Sequence, residues 1–421
     1  MHLKTDNHSL PFFKKDFFRL WFAVFIFSAG IYQEQISVGY IIYEITNSEI
    51  HVILMYAVRV IPVLFFSNYI GYIADLINRK KLLSIFMFLG SIGMFLFSLL
   101  MYFEIYNYPI IMTFVFYSGC IWAAVMITQQ SYSYDIVGPK FVSQGTALTK
   151  GADRIGGILG GYFSGKLVSN YFHIPFLLSA LYHLCSSSLI LPNSKIANYS
   201  PISKSKEKPQ ISEILSILKN NNVLLVLIIL TIITEIFGFS HNSIMPILVK
   251  DVLSGDADDL GFMMIVRQFG GIIGILLIIV FGNIQQKGLW LLISALGMSF
   301  CVFFLGLANN SLIFIVALFS LNVFSSSCDS LYQIIAQKSV LNKDRGKALG
   351  AWTFALGSGP LGYLIIGLII TAVNTYDFTG LTNQYHNAPG PQLALNLNGF
   401  ILIILVLVTF RYAKKLREFK T

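Results

Sequence analysis

Charged residues are scarce in this sequence. Asp, Glu, Lys and Arg make up only 12% of its 421 residues, about half of the quarter or so found in soluble globular proteins. Apolar residues make up 55% and occur in uninterrupted blocks of about 20 residues, the length that a helix needs to cross a bilayer. This composition excludes a string of ordinary soluble domains and predicts a protein that crosses a membrane many times.

Cysteine is also scarce, and the motifs of metal and nucleotide chemistry are missing. The four cysteines lie inside apolar blocks at no metal-like spacing, which indicates small buried side chains. His183 and His241 stand alone, so the sequence indicates no metal cluster and no nucleophile with a base. No G-x-x-x-x-G-K-[ST] phosphate loop occurs. We therefore expect no cofactor, no metal, no ATP hydrolysis and no enzymatic activity.

Twelve apolar blocks are long enough to be membrane helices. Backbone polar groups must be paired in hydrocarbon, and the short alternating segments of a membrane β-barrel are lacking, so the blocks predict helices. The predicted fold class is an all-α membrane protein with twelve transmembrane helices. The predicted spans are 19–43, 50–73, 82–103, 109–133, 143–168, 174–192, 222–248, 260–283, 288–308, 311–335, 348–372 and 395–412.

The twelve spans divide into two related sets of six. Gly30 and Arg59 in the first set recur at the same depth in the second set as Gly238 and Arg267. Two pseudo-symmetric six-helix bundles around a central site are the plan of a transporter. The segment between the bundles is polar and rich in Lys, and it ends in an amphipathic pattern suited to the membrane surface. The predicted divisions are an N-terminal bundle at 1–192, a cytoplasmic linker at 193–221 and a C-terminal bundle at 222–421.

Basic residues cluster on one side of the predicted membrane. Most of the 29 Lys and Arg residues fall in the terminal segments and in the loops after even-numbered spans, whereas the other loops are acidic or neutral. Cytoplasmic loops carry such an excess, so we predict an inner (cytoplasmic) membrane protein with both termini in the cytoplasm. The net charge of +9 then reflects this topology and contact with membrane lipids, and no nucleic-acid partner is expected.

The most specific motif is the run GYIADLINRKK, which begins at Gly71 between spans two and three. The glycine allows helices to approach closely, and Asp75 can pair with Arg79 and Lys80 in a charge lock that a conformational change would break. The run resembles the G-x-x-x-D-x-x-G-R-R/K signature of the major facilitator superfamily. Asn78 replaces the second glycine, and Asn also tolerates a left-handed turn. The resemblance implies the major facilitator fold, solute transport and a cytoplasmic gate at this motif.

Three further runs resemble the efflux branch of that superfamily. YEITNS at 43–48 and AVRVIP at 57–62 are similar to the YELTGS and AARxLP elements of efflux members. RGKA at 345–348 is similar to their RGRV element. The branch includes enterobactin-type siderophore exporters and macrolide efflux pumps, so the resemblance implies export of a siderophore or a drug.

Span five carries a glycine face that resembles the motif of facilitator antiporters. Ile158 replaces the proline that is usual there. Ordinary packing of small residues between helices explains such a face equally well, so both interpretations stay open. The glycines of this face are Gly156, Gly157, Gly160, Gly161 and Gly165.

Ionisable residues inside the predicted spans are costly, at about 2.5–3.5 kcal/mol each near the bilayer centre, so they are expected to point inward or to pair. Lys150, Asp153 and Arg154 stand at i, i+3 and i+4 on one helix face. This spacing predicts a structural salt-bridge cluster, with a role in substrate binding as the alternative. The other ionisable residues inside spans are Glu34, Arg59, Glu235, Arg267 and Asp329.

Two of these acids, Glu34 and Glu235, are the candidates for proton coupling. A carboxylate that alternates between a desolvated environment and a nearby cation can bind a proton in one and release it in the other. Arg59 and Arg267 would be the partners of these acids or contacts for an anion, and a fixed Glu34–Arg59 ion pair is the alternative. The neighbouring polar side chains assigned to the two sites are Gln33, Gln35, His241 and Asn242.

Together these features predict a secondary active transporter that works by alternating access. We expect a proton-coupled exporter of a small amphipathic or anionic solute, such as a siderophore or a drug. The alternatives are an importer or a lipid flippase on the same scaffold, or a membrane receptor that transports nothing. The expected partners are the small-molecule solute, the proton and membrane lipids, and the expected state is a monomer.

Overall fold

The computed structural model describes residues 15–138, 141–191, 211–280, 285–341, 345–376 and 389–420. Within these ranges the chain forms helices and turns and no strand. A helical element lies at each of the twelve predicted positions. In chain order they are α1 Lys15–Thr46, α2 Glu49–Leu76, α3 Arg79–Tyr102, α4 Tyr108–Val137, α5 Val142–Val168, α6 Ile174–Ile190, α7 Asn222–Val252, α8 Ala257–Val280, α9 Lys287–Gly306, α10 Ser311–Lys338, α11 Arg345–Leu356 with Gly359–Thr375, and α12 Pro389–Tyr412.

Nine of these elements, counted over the described residues, are long and apolar enough to cross a membrane. The other three are α1, α5 and α6. The polar patch around Glu34 interrupts α1, Lys150 and its charged neighbours interrupt α5, and α6 has only 17 residues. Because α1 and α5 pack against each other, as described below, the polar interruptions are brought together inside the protein.

The ends of the elements lie on two opposite faces. On one face, the Tyr43 hydroxyl near the end of α1 donates to Asp251 near the end of α7 at 2.6 Å. On the other, the Asn221 side chain just before α7 donates to the carbonyl of Ser339 just after α10 at 2.7 Å. We call the face with the start of α1 and the end of α12 the terminal face, and the opposite one the distal face. The basic residues predict that the terminal face is cytoplasmic.

Equivalent helices pack in the same way within the sets α1–α6 and α7–α12. Gly156 joins α5 to α1, and Gly362 joins α11 to α7. Gly119 joins α4 to α2, and Gly270 joins α8 to α10. At each of these glycines a β-carbon would overlap a carbonyl oxygen of the partner helix. Small residues allow such close backbone approach between membrane helices, and its repetition agrees with two related halves.

The two sets pack tightly at the distal face. A β-carbon at Gly161 would lie 3.1 Å from the Gly261 carbonyl, and one at Gly165 would lie 2.9 Å from the Ala257 carbonyl. The glycine face of α5 therefore forms a contact between the two sets. The antiporter interpretation of this face stays a prediction.

Packing is looser toward the terminal face. Among the described residues, no neighbouring atom lies within 4 Å of the β-carbon positions of Gly71, Gly151 or Gly350. The close helix approach predicted at Gly71 is therefore wrong for this conformation. The motif's glycine lies near the end of α2, on the side where the two sets are least tightly packed.

Element α7 is not a continuous α-helix. It is α-helical over Asn222–Ile233 and then passes through a π-helical turn at Thr234–Gly238 and a 3-10 turn at Phe239–Ile244. Pro246 follows in the next short helix. Proline and π-turns are common causes of irregular helices, and π-turns often occur at functional sites. This irregular stretch contains Glu235 and His241.

The linker between the two sets is described only at its end. The predicted surface helix is present as Ile211–Asn220. The preceding polar stretch, 193–210, lies outside the described residues, as do 377–388 of the long loop before α12.

Candidate functional site

Glu34 of α1 and Arg59 of α2 form a buried ion pair. The Arg59 Nη1 atom donates to both carboxylate oxygens of Glu34 at 2.6 Å, and both side chains are almost completely shielded from solvent. The Arg59 Nη2 atom is buried without a hydrogen-bond partner in the described part of the chain. The fixed ion pair, which the sequence left as an alternative, is the arrangement that the structure contains.

The two glutamines beside Glu34 point in different directions. Gln33 is fully buried, and neither of its amide atoms has a partner among the described residues. Gln35 lies within hydrogen-bonding reach of the Tyr56 hydroxyl on α2. Gln35 therefore lies beside the tyrosines of the central site described below, whereas Gln33 lies against α5 near Gly160.

Asp153 of α5 is bound to α1. Its carboxylate accepts hydrogen bonds from Ser28 at 2.6 Å and from Tyr32 at 3.1 Å. Lys150, one turn earlier, interacts electrostatically with Asp329 of α10. Asp329 therefore faces cations of the other half of the molecule, which the sequence did not predict.

Arg154 points away from Asp153, toward the second half. Its guanidinium donates to Gln268 of α8 at 3.1 Å and to Ser326 of α10 at 3.0 Å. Lys150 also interacts electrostatically with Asp153, but the hydrogen bonds of Asp153 and Arg154 go to other helices, so the salt-bridge cluster on α5 stays a prediction. Adjacent positions on one helix face different neighbours here, because α5 lies between α1 on one side and α8 and α10 on the other.

Arg267 of α8 lies among aromatic side chains between the halves. It interacts electrostatically with Tyr32, Tyr56 and Tyr363 and with Arg154. Its Nη1 atom lies 4.0 Å from the sulfur of Met264, and its buried Nε has no partner in the described ranges. The rings of Tyr56 and Tyr363 lie edge to face, with centroids 6.3 Å apart.

We define the central site as these residues together with Glu235, which is described next. Its members are Tyr32, Tyr56, Arg154, Glu235, Arg267 and Tyr363. It draws residues from both halves. Neither guanidinium has a carboxylate within ion-pairing distance in the described part of the chain. Sequence reasoning missed the three tyrosines, because aromatic residues are too frequent in this chain for any one of them to be singled out.

Glu235 is half-buried in the irregular part of α7. No hydrogen bond or ion pair joins its carboxylate to another described residue. The β-carbon position of Gly359 lies 3.6 Å from Oε2, which places the carboxylate beside the break in α11. Glu235 also interacts electrostatically with Asp329 and Tyr363. Unlike Glu34, this acid has no partner among the described residues that fixes its charge.

His241 and Asn242 are buried one to two turns after Glu235. The His241 Nδ1 atom lies 2.8 Å from the Gly238 carbonyl, and its Nε2 atom has no partner in the described residues. His241 lies close enough to Arg267 to interact electrostatically. The buried Oδ1 atom of Asn242 also lacks a partner there. Across the described ranges no group of His, Cys, Asp or Glu side chains is arranged to hold a metal ion.

The gate motif is described only in part. The Asp75 side chain, and so the predicted Asp75 lock, lies outside the described residues. Arg79, the first residue of α3, pairs with Asp135 of α4 at 2.7 Å. Asn78 caps α3 by accepting from the Lys81 backbone N–H at 3.1 Å, and Lys80 lies in the first turn. Sequence reasoning missed Asp135, although an acid near the end of α4 reaches the same face as Arg79.

Polar contacts close the distal face between the halves, and sequence reasoning missed them too. Such contacts require two loops to meet that are far apart in the chain. Among the described residues they are Tyr43–Asp251 at 2.6 Å, Lys250–Glu44 at 2.6 Å, Asn374–Glu49 at 2.8 Å, and Lys166–Asp258.

Two related sets of membrane helices that meet around a charged centre define a membrane transporter. The chain belongs to the Major Facilitator Superfamily, whose sequence pattern matches residues 20–363 and, again, 230–419. The family is one of transporters and not of enzymes. This result and the all-helical structure confirm the predicted superfamily and fold class.

Individual relatives agree with this assignment. A Staphylococcus aureus (strain NCTC 8325 / PS 47) protein, the Staphyloferrin A transporter, is 23% identical over 376 residues, which cover 87% of this chain and 93% of that protein. A D-xylose-proton symporter structure matches with a TM-score of 0.70 at 15% identity, covering 95% of this chain and 97% of the other. A POT family transporter in complex with 5-aminolevulinic acid matches with a TM-score of 0.72 at 12% identity, covering 95% and 96%. The two structural likenesses show the fold alone.

Proposed function

We propose that this protein is a secondary active transporter of the cytoplasmic membrane that exports a small anionic solute of siderophore type in exchange for protons. The observation that carries the proposal is the central site. Arg154 and Arg267 lie there between the halves, and neither guanidinium is neutralised by a bound carboxylate among the described residues.

The chemistry of the central site suits a carboxylate or similar anion. A planar guanidinium binds a carboxylate through two parallel hydrogen bonds, which are stronger than bonds between neutral groups. Tyr32, Tyr56 and Tyr363 add hydroxyl groups and apolar ring faces, which suit an amphipathic solute. Arg154 comes from the first half and Arg267 from the second, so one anion could contact both halves and follow their rearrangement.

Two lines of similarity support a siderophore and the outward direction. The Staphyloferrin A transporter is a relative over most of the chain, and we extend its class of solute to this protein. Export is supported by the runs at 43–48, 57–62 and 345–348, which resemble efflux members.

For proton coupling we place Glu235 before Glu34. Glu34 is held by two short contacts to Arg59, so its negative charge is already compensated. Glu235 has no such partner in the described part of the chain and lies between the breaks of α7 and α11, where a change in helix packing would change its surroundings. Protonation of Glu235 can therefore be coupled to a movement of α7 and α11.

A flux assay tests the anion site. Proteoliposomes that contain the purified protein would be given staphyloferrin A, with D-xylose as a neutral comparison. Loss of one charge-assisted hydrogen bond costs about 1.5–3 kcal/mol, so Arg267→Gln and Arg154→Gln should each raise the KM for staphyloferrin A about tenfold or more. Arg411→Gln, which removes an exposed charge at the end of α12, is the matched control and should leave the KM unchanged.

Two results would overturn the anion site. One is transport of D-xylose as efficient as that of staphyloferrin A. The other is an unchanged KM for staphyloferrin A in both central-site variants.

A further inference from the structure

One spacing along the chain relates the two halves. Tyr43 and Asp251, whose side chains meet near the distal ends of α1 and α7, are 208 residues apart. The same spacing separates Arg59 of α2 from Arg267 of α8. In a transporter with two related halves, equivalent residues are related by an axis along the membrane normal. The Tyr43–Asp251 contact joins equivalent positions, so it lies on that axis and supports this correspondence of α1 with α7.

The two halves differ in charge beside their equivalent arginines. In the first half, Glu34 binds Arg59 through two contacts of 2.6 Å. In the second half, the spacing places Asn242 at the position equivalent to Glu34, and Asn242 is neutral. Among the described residues no carboxylate lies within ion-pairing distance of Arg267. The second half therefore lacks the internal counter-ion that the first half has.

Three polar atoms at this position of the second half are buried without a hydrogen-bond partner in the described ranges. They are Asn242 Oδ1, His241 Nε2 and Arg267 Nε. His241 also lies close enough to Arg267 to interact with it electrostatically. Buried polar atoms in folded proteins are nearly always hydrogen-bonded, so this group indicates a ligand that completes it.

This stretch of α7 borders the central site. A β-carbon at Gly39 of α1 would lie 3.4 Å from Pro246 and 3.7 Å from the Tyr56 hydroxyl. Pro246 follows Asn242 by about one helical turn, and Tyr56 is a member of the central site. A solute between the halves can therefore reach the polar atoms of α7.

The unpartnered atoms indicate the chemistry of the ligand. The guanidinium of Arg267 only donates, and it suits a carboxylate. The His241 Nδ1 atom lies 2.8 Å from the Gly238 carbonyl, so Nδ1 carries the proton of the neutral ring and Nε2 accepts a hydrogen bond. The amide of Asn242 both donates and accepts. Together these groups suit a carboxylate with a hydroxyl group beside it.

We propose that Arg267, Asn242 and His241 form a subsite for a hydroxycarboxylate group of the solute. The carboxylate would take the place beside Arg267 that the Glu34 carboxylate takes beside Arg59, and the hydroxyl would donate to His241. This subsite rests on the proposed function, since it holds the anionic group of the exported solute. Asn242 then determines specificity, because a carboxylate of the protein in its place would fill the subsite.

Asn242→Glu tests the subsite in the flux assay. The new carboxylate should pair with Arg267 and exclude the solute, so the KM for staphyloferrin A should rise about tenfold or more. Asn242→Gln lengthens the side chain equally without the charge and should raise the KM much less. The control is Asn220→Glu, which adds the same charge at an exposed position of the linker helix and should leave the KM unchanged.

Thermal unfolding without any solute tests the correspondence between the halves. Arg267→Gln in the Asn242→Glu background removes the counter-ion of a buried carboxylate. It should therefore lower the unfolding temperature by several degrees more than Arg267→Gln does in the otherwise wild-type chain.

A matched pair of inhibitors tests the hydroxyl contact. Citrate and tricarballylate differ only in the hydroxyl group of citrate. A hydrogen bond contributes about 0.5–1.5 kcal/mol, so citrate should inhibit staphyloferrin A transport at a concentration about fivefold lower than tricarballylate. His241→Leu should remove this difference.

Three results would each overturn the subsite. They are an unchanged KM in Asn242→Glu, an equal effect of Arg267→Gln on unfolding in both backgrounds, and a citrate preference that is absent from the wild type or survives in His241→Leu. Failure of the proposed function looks different. The wild-type protein would then transport no staphyloferrin A, and the unfolding comparison, which needs no solute, would still decide whether Asn242 and Arg267 lie together.

Discussion

At the scale of single residues, Glu34 and Arg59 show how a membrane protein accommodates buried charge. Each would be costly alone in the apolar layer. Together they form two contacts of 2.6 Å and are almost fully buried. A buried pair of this kind adds little net stability, but its loss leaves an uncompensated charge.

This argument predicts a non-additive effect on stability. Glu34→Gln should lower the free energy of unfolding by about 3–5 kcal/mol, because it leaves the Arg59 charge buried without a counter-ion. The double variant Glu34→Leu with Arg59→Met should recover most of that loss. Thermal unfolding of the purified protein in detergent measures the effect.

The exposed Lys250–Glu44 pair supplies the control for that measurement. Glu44→Gln should cost no more than about 1 kcal/mol, because solvent screens the pair. Equal losses for Glu34→Gln and the double variant would contradict the account of the buried pair.

Glu235 makes a different prediction, which concerns coupling and not stability. Glu235→Gln should abolish accumulation of staphyloferrin A against its gradient, because no proton can be released at this position. Exchange of labelled for unlabelled solute at equal concentrations should continue, because exchange requires no net proton movement. Glu104→Gln, in an exposed distal turn, should leave both activities intact. Full gradient-driven accumulation by Glu235→Gln would exclude this residue as the coupling site.

The charged residues of the central site could be predicted from the sequence, but its three tyrosines and the partners of the charges could not. Ionisable residues inside apolar blocks are visible in one dimension, and all eight were identified. That Arg154 reaches Gln268 and Ser326 depends on how two halves meet. The Arg79–Asp135 pair lies within the first half, and it could not be predicted either, because helix spacing defines a face and not the neighbour opposite it.

At the scale of elements, the glycines of α2, α5 and α11 show which face of the protein is closed. Those near the distal face contact the opposite half, whereas Gly71, Gly151 and Gly350 have space around them. The sequence predicted the positions of the helices well, because a block of about 20 apolar residues has few alternatives in a bilayer. It did not predict the π and 3-10 turns of α7, because the apolar pattern marks a membrane helix without showing where its hydrogen-bond pattern changes.

Enlarging a distal glycine should shift the conformation. Gly165→Leu places a side chain where the Ala257 carbonyl lies within 2.9 Å of a β-carbon, so the distal face should open. Spin labels on cysteines at Asn170 and Asn309, in distal turns of the two halves, report the separation once the four native cysteines are replaced. We expect the mean distance between the labels to increase by several ångströms.

The matched control for this shift is Gly350→Leu, because no atom of the described residues lies within 4 Å of a β-carbon at Gly350. The distance between the distal labels should then remain as in the wild type. An unchanged distance in Gly165→Leu would show that the glycine contact does not hold the distal face closed.

At the scale of the whole molecule, the distal ion pairs and the central site belong to one arrangement. The Lys250–Glu44 and Lys166–Asp258 ion pairs join the halves on the distal side. The guanidinium groups of Arg154 and Arg267 lie between the halves. A solute bound by both halves is then released on either side according to which face is open, which is the basis of alternating access.

The sign of the proton gradient that drives uptake tests the proposed function most directly. Proteoliposomes would be prepared with a lumen either more acidic or more alkaline than the medium, and accumulation of staphyloferrin A would be followed with and without a protonophore. Because an antiporter lets protons leave as solute enters, we predict accumulation only with the acidic lumen and its loss on addition of the protonophore. This readout does not depend on how the protein is oriented in the vesicle. Accumulation only with the alkaline lumen would identify a symporter, and accumulation that ignores the gradient would exclude proton coupling; either result contradicts proton-driven export.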